Sequence, residues 1–248
     1  MSKLTAGIII IGDEILSGRT LDINANFIAQ ELIKAGINLM EIRVVQDNIN
    51  IIKKTVYKFH KDYTYVFTTG GIGPTHDDIT SESIAKTFNR KYTIHPKAYK
   101  ILEDHYPKGQ FNESRQKMAK LPENAKLIPN PLTAAPGFIV ENVYVLPGVP
   151  NIMKTMFKSL LVNIKKGEPK KICTINTNLY ESTIASKLLE IQKSNSDCSI
   201  GSYPYYNYLK KTSGVNIVVS SWDRNNLADI RDEIINMISL LGGKSSVV

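Results

Sequence analysis

The sequence predicts an α/β protein: a mostly parallel sheet over residues 1–166, then a small α+β domain of split-βαβ type over residues 170–248. Three observations carry this. Apolar, β-branched runs alternate three times with helical patterns before residue 89. The charged stretch Lys165-Lys166-Gly167-Glu168-Pro169-Lys170 reads as a linker. Beyond it the order becomes strand, helix, strand, strand, helix, the pattern of a split-βαβ unit.

Ala6 to Ile11 is a continuous apolar run, as in a parallel strand buried on both faces. It ends at Gly12-Asp13-Glu14-Ile15-Leu16-Ser17-Gly18. Asp22 and Asn24 are capping types ahead of Phe27, Ile28, Glu31, Leu32 and Ala35, and Gly36 stops that helix. Ile37 to Val45 is a second strand, ending at Gln46-Asp47-Asn48. Ile49, Ile52, Val56 and Phe59 keep a 3.6 period. Tyr63 to Thr68 is the third strand, and Ser81 to Phe88 the helix after it. Successive βα units imply right-handed crossovers, with ligands at the carboxyl ends of the strands. All three strand ends carry acids: Asp13 and Glu14, then Asp47, then Asp77 and Asp78.

The third strand end, Thr69-Gly70-Gly71-Ile72-Gly73-Pro74-Thr75-His76-Asp77-Asp78-Ile79-Thr80, is a phosphate-loop candidate. Glycines let the backbone approach a ligand closely, and a helix N-terminus suits anions. The same stretch also fits a tight βα turn, with Asp78 as a helix cap. Gly71-x-Gly73 lacks the third glycine of the dinucleotide fingerprint, and no Gly-Lys-Ser/Thr follows, which excludes a P-loop.

Residues 89–130 read as an insertion: His95-Pro96 opens a helix to about Tyr106, and Asn112 to Lys120 forms a second with Arg115, Gln116 and Lys117. That second helix is either a solvated cap or a lid bringing a cation to the phosphates. Leu121 to Leu132, with three prolines, reads as irregular. Phe138 to Val140 and Val143 to Leu146 form a hairpin ending at Pro147-Gly148-Val149-Pro150, whose turn could offer backbone N–H groups to the same site. Asn151 is a cap candidate for the helix of Ile152, Met156 and Leu160. In the second domain, Lys171 to Thr177, Cys198 to Tyr203 and Val215 to Ser220 are strands, and Glu181 to Gln192 and Leu227 to Leu241 are helices.

A net charge of +8 favours anionic partners. Two cysteines without CxxC spacing suit a reducing compartment, and neither a secretory leader nor a bilayer-spanning run is evident, so the expectation is a cytoplasmic protein.

The ordered blocks Gly12-Asp13-Glu14-Ile15-Leu16-x-Gly18, Asp22-x-Asn24-x-x-Phe27, Val44-Val45-x-Asp47, Thr69 to Thr80 and Leu146-Pro147-Gly148-Val149-Pro150 resemble the molybdopterin-binding-like domain of the competence/damage-inducible CinA family. His76 and Gly201-Ser202-Tyr203-Pro204 are similar to the N-terminal domain of animal-type FAD synthases. The match covers nearly the whole chain; the amidohydrolase domain of longer CinA proteins and the synthetase domain of FAD synthases are not in it. The resemblance implies a three-layer α/β/α fold and cleavage of ADP-ribose or FAD, with a divalent metal (Mg, Mn or Co) and stimulation by potassium. More distant relatives bind and adenylylate molybdopterin. It maps site acids onto Asp47 and Asp78. The chain departs from the family at Thr133-Ala134-Ala135-Pro136-Gly137 and at Asn151, where Gly-Thr-Ala-Pro-Gly and Ser are common.

The leading expectation is therefore metal-dependent hydrolysis of a nucleotide pyrophosphate, releasing AMP, by a homodimer. Gly12, Thr69, Gly70, Gly71, Gly73, Thr80, Pro147 and Gly148 would bind phosphate or nucleotide; Asp78 with Asp47 or Glu14 would hold the metal; His76 or Asp77 would take the proton of water. The alternative is a molybdopterin-binding or adenylylating protein. A third reading, a single-stranded nucleic-acid binder, rests on Tyr203, Tyr205, Tyr206 and Tyr208 in an apparent loop before Lys210-Lys211. The same tyrosines equally fit a subunit interface or a cover over the active site.

Overall fold

The computed structural model describes residues 4–208, 212–222 and 226–248. The chain divides into two compact units, Met1–Gly167 and Glu168–Val248.

In the first unit the elements run β1 (Thr5–Ile11), α1 (Asp13–Leu16), α2 (Asn24–Lys34), β2 (Asn38–Val45), α3 (Ile49–Asp62), β3 (Tyr65–Thr69), α4 (Thr80–Thr87), β4 (Tyr92–Ile94), α5 (Pro96–His105), α6 (Glu113–Lys117), β5 (Lys120–Pro122), β6 (Lys126–Ile128), β7 (Gly137–Val140), β8 (Val143–Leu146) and α7 (Pro150–Leu161). The main sheet has the order β2-β1-β3-β8-β7-β6. Its first four strands are parallel, and β7 and β6 each pair antiparallel with the neighbour before them. β1 is buried from Ala6 to Ile11, which explains why that run is apolar without alternation. Ala6, Ile8 and Ile10 share one core with Ile28 and Leu32 of α2 and Met153 and Phe157 of α7. Ile9 and Ile11 share the opposite core with Ile52, Val56 and Phe59 of α3, Ile84 of α4 and Leu102 of α5. Helices thus cover both faces, and the fold is a three-layer α/β/α sandwich.

After β1, Asp13–Leu16 closes a single helical turn. Three local expectations change. Leu121 to Leu132 is not irregular throughout: it holds the end of β5 and all of β6, with Pro122 the last residue of β5 and Pro129 just past β6, where a missing N–H costs no central ladder bond. β5 pairs with the unforeseen β4, and this ladder ends the preceding helix at Lys117 rather than Lys120. Asn151 does not cap α7, because Pro150 opens that helix with Val149 at the cap; proline's fixed φ suits a first helical position.

The second unit contains β9 (Lys171–Thr177), α8 (Glu181–Ser194), β10 (Cys198–Asn207), β11 (Thr212–Ser221), α9 (Leu227–Leu240) and β12 (Ser245–Val247), with sheet order β10-β11-β9-β12. β9 and β10 both lie antiparallel to β11, so they run parallel to each other with one strand between them, which is the split-βαβ arrangement. Ile175, Val215, Ile217 and Val219 pack on Ile184, Leu188, Ile230 and Ile234. β10 outruns its predicted end at Tyr203. Tyr203, Tyr205 and Tyr206 therefore stand on an edge strand, where Pro204 is tolerated, and Tyr208 follows it. The Lys210-Lys211 part of the nucleic-acid reading lies outside the described residues. Among the described residues, no helix is long and apolar enough to cross a membrane.

Candidate active site

The chain passes from β1 to β2 on one side and then crosses to β3 on the other side of β1, so the sheet reverses its order between β1 and β3. Such a switch point opens a crevice beyond the strand ends. The segments after β1, β2, β3 and β8 meet there around a cleft of about 560 Å³.

Backbone bonds join the loops. Gly12 N–H donates to the Val45 carbonyl (3.2 Å), and Asp13 N–H donates to Asp47 Oδ2 (2.9 Å), which ties the first strand end to the second. Gly70 N–H donates to the Leu146 carbonyl (3.1 Å) and Thr80 N–H to the Gly71 carbonyl (2.9 Å). Glycine is required at two of these points. Gly70 has φ +103°, and a Cβ there would lie 2.1 Å from the Ile11 carbonyl oxygen; Gly71 has φ +67°, and a Cβ would lie 2.2 Å from Thr80 Oγ1. Gly70 spends its N–H on the sheet, whereas the N–H groups of Gly71, Ile72 and Gly73 have no protein acceptor among the described residues.

Glu14, Asp47, Asp77 and Asp78 line the cleft together with Gly12, Gly70, Gly71, Gly73, Pro147 and Gly148. Three predicted site residues do not. Thr80 is fully buried beneath Gly71. Thr69 lines a neighbouring pocket instead. His76 points into solvent with its side chain 99% exposed, and among the described residues its ionic neighbour is Asp77, 4.0 Å away. The loop turns around Asp78, not around the histidine: Thr75 N–H donates to Asp78 Oδ2 (2.8 Å), and the Thr75 hydroxyl lies 2.5 Å from both Asp77 and Asp78. One hydroxyl proton serves one carboxylate at a time. Asp78 is therefore not the cap of α4, which starts after Ile79 without a side-chain cap.

Burial pushes the Asp47 carboxyl above its usual range, and the negative charges of Asp13, Glu14 and Asp77 push it the same way against the Asp13 N–H bond. Asp77 is held below its usual range, first by the Thr75 hydroxyl, with Lys117 and His76 as weaker contributors. Lys117 reaches the loop from α6: its ammonium donates to the Thr75 carbonyl. Arg115 turns away, with its guanidinium 4.2 Å over the Tyr106 ring. Among the described residues, no three His, Cys, Asp or Glu side chains converge to hold a metal ion.

The cleft also contains residues not singled out as ligands from the sequence, including Met118, Asn130, Ala135 and Ile152. Asn130 shapes its wall. Oδ1 accepts from the Leu132 and Thr133 N–H groups, and Nδ2 donates to Thr133 Oγ1 and the Ala135 carbonyl. The Asn130-Pro131 pair was a turn signal that could have located it. Thr133, one of the two family departures, lines the cleft; Asn151, the other, does not.

Residues 7–166 match the family described as "Probable molybdopterin binding domain". The chain belongs to the molybdopterin-binding domain family. Its CinA-like character shows in the relatives. A CinA protein of unknown function from Thermoplasma acidophilum has a crystal structure that is 34% identical, with a TM-score of 0.61, covering 64% of this chain and 97% of that one. A competence-damage inducible protein of Clostridium botulinum (strain Okra / Type B1) is 33% identical over 212 residues, 81% of this chain. This chain spans 51% of that clostridial relative's length. A protein of Archaeoglobus fulgidus is 40% identical over 202 residues, 82% of this chain and 86% of its own length. Residues 171–241 match the family described as "FAD synthase, middle domain". The molybdopterin-binding domain family is one of small-molecule binding, and the cleft is where this member concentrates its polar, convergent groups.

Proposed function

We propose that this chain hydrolyses the pyrophosphate bond of a nucleotide such as ADP-ribose or FAD, releasing AMP. One observation carries the reading: a glycine loop with unspent N–H groups at Gly71, Ile72 and Gly73 faces four carboxylates in a single cleft. Donors for phosphate and acceptors for a cation are both needed for that reaction.

The donor set fits a hard divalent cation, because every charged group lining the cleft is a carboxylate. With no three such groups converging, the cation would be shared with the substrate's own phosphate oxygens, the usual arrangement for magnesium. Asp78 and Glu14 would hold it. When bound, it supplies neutralisation of the charge on the phosphates. Gly71 and Gly73 orient the phosphates through their N–H groups. Asp47 accepts the proton of the attacking water, a role suited by its raised proton affinity. The water oxygen joins phosphorus, the bridging P–O bond breaks, and the second phosphate leaves. Solvent exposure of His76 argues against its taking that proton.

The test is AMP release from ADP-ribose, FAD, NAD and diadenosine phosphates with Mg, Mn or Co. Turnover of none of them by the wild type, at any metal, removes the reading. The family's name supports a second one, capture or adenylylation of molybdopterin in the same cleft. Pterin fluorescence on the purified protein, without pyrophosphate turnover, would favour it.

A further inference from the structure

Beside the main cleft lies a side pocket of about 100 Å³, too small for a dinucleotide. The two share Ile11, Glu14, Gly70 and Gly148 in their walls. Asn24 lines the side pocket from the first turn of α2 and is only 5% exposed. Its Nδ2 donates to the Gly148 carbonyl (2.8 Å), which fixes the amide's orientation. The other end of that amide, Oδ1, is buried with no hydrogen-bond partner. A buried acceptor left unmade is costly, so its retention needs a reason. The charged groups on the rest of the wall are acceptors, the carboxylates of Glu14 and Asp22; Thr20 and Thr69 add hydroxyls, and Gly70 has already given its N–H to Leu146.

We infer that Asn24 Oδ1 is a specificity-determining acceptor that reads an N–H or O–H donor on a nucleotide bound in the main cleft. This rests on the nucleotide reading above and adds to it the part of the ligand that is recognised. An acceptor-lined pocket suits an exocyclic amino group of the base or a ribose hydroxyl. It disfavours a phosphate or a base edge that presents a carbonyl. The Gly148 bond gives the device its precision, since the same side chain joins the loop after β8 to α2 and aims the oxygen.

The inference is tested by calorimetric binding of AMP, IMP and 2′-deoxy-AMP to the full chain, without turnover. IMP replaces the amino group by a carbonyl, and 2′-deoxy-AMP removes one hydroxyl. Wild type should bind AMP roughly tenfold more tightly than the analogue lacking the group that Asn24 reads. Asn24→Ala should bind that pair equally. Asn24→Leu, close to the amide in shape but without an acceptor, should also bind that pair equally, and it serves the test if Asn24→Ala does not fold. Equal weakening of all three ligands by Asn24→Ala would assign the residue a purely structural role and overturn the inference. So would a wild type that does not discriminate, or one whose affinity follows the monovalent cation rather than the ligand group. If wild type binds none of the three, the nucleotide reading itself fails, and this inference with it.

Discussion

Asp78 has two tasks that a substitution can separate. It closes the loop by accepting the Thr75 N–H, and it faces the cleft as a charge. Asparagine keeps an acceptor for Thr75 and removes the charge. Asp78→Asn should therefore retain its melting temperature and lose AMP release by roughly 10²-fold or more, the scale of disturbing a metal shell. Near-normal turnover would remove Asp78 from cation binding. Gly70 is the opposite case, a residue whose task is steric. Alanine at φ +103°, with its Cβ 2.1 Å from a carbonyl oxygen, must move the β1 end or the loop. Gly70→Ala should cost about 3 kcal/mol in a denaturant titration, from backbone strain and the displaced contact together. A change below about 0.5 kcal/mol would mean that the loop is softer than its geometry implies.

Elements set where these residues stand, and here sequence and structure can be compared strand by strand. The β1 and β3 runs were legible because they are buried along their length and apolar or β-branched throughout, β2 because its apolar residues persist around Glu41 and Arg43 on a half-covered edge, and the acidic ends of all three marked the crevice. β4, β5 and β6 were not, since three residues are too few to show a period and prolines mask the pattern. The length of β10 was hidden for a related reason: Pro204 reads as a break, while an edge strand accepts it. In the site, residue type found the acids, yet only coordinates could show that His76 turns outward or that Gly70 spends its N–H. Two predictions belong at this scale. Asn48, directly after Asp47, caps α3 by accepting the Asn50 (3.0 Å) and Ile51 (3.2 Å) N–H groups. Asn48→Ala should lower stability by about 1 kcal/mol in chemical denaturation. α6 brings Lys117 onto the glycine loop. Lys117→Met should raise KM for a pyrophosphate substrate several-fold and leave the thermal midpoint unchanged, whereas an unaltered KM would make α6 a solvated cap.

At the scale of the whole molecule, alkali acts on the first unit through two tyrosines. Each has its own buried core: the first on both faces of the six-stranded sheet, the second beneath α8 and α9. In the first unit Tyr63 and Tyr92 are both pushed up to about 12. For Tyr63 burial contributes most, followed by its hydroxyl bond to Glu41 Oε2 (2.7 Å). For Tyr92 burial again leads, with the charges of Glu82 and Asp78 adding to it. A tyrosine raised in the fold is neutral there while its unfolded counterpart ionises near 10. Its contribution is complete below pH 10 and is lost progressively between pH 10 and 12, because the unfolded chain then releases protons that the folded chain keeps. The direction follows from the linkage relation: where the folded state binds more protons, stability falls as pH rises. Tyr63 sits at the end of α3 and Tyr92 in β4, so the loss falls on the unit that holds the cleft. Thermal melts of residues 1–167 and of the full chain, followed at pH 9, 10, 11 and 12, should show the cleft unit's transition dropping steeply above pH 10. Tyr63→Phe should flatten part of that drop, because phenylalanine has no proton to lose. A first-unit transition that does not move between pH 10 and 12 would mean that these hydroxyls are free to ionise in the folded state.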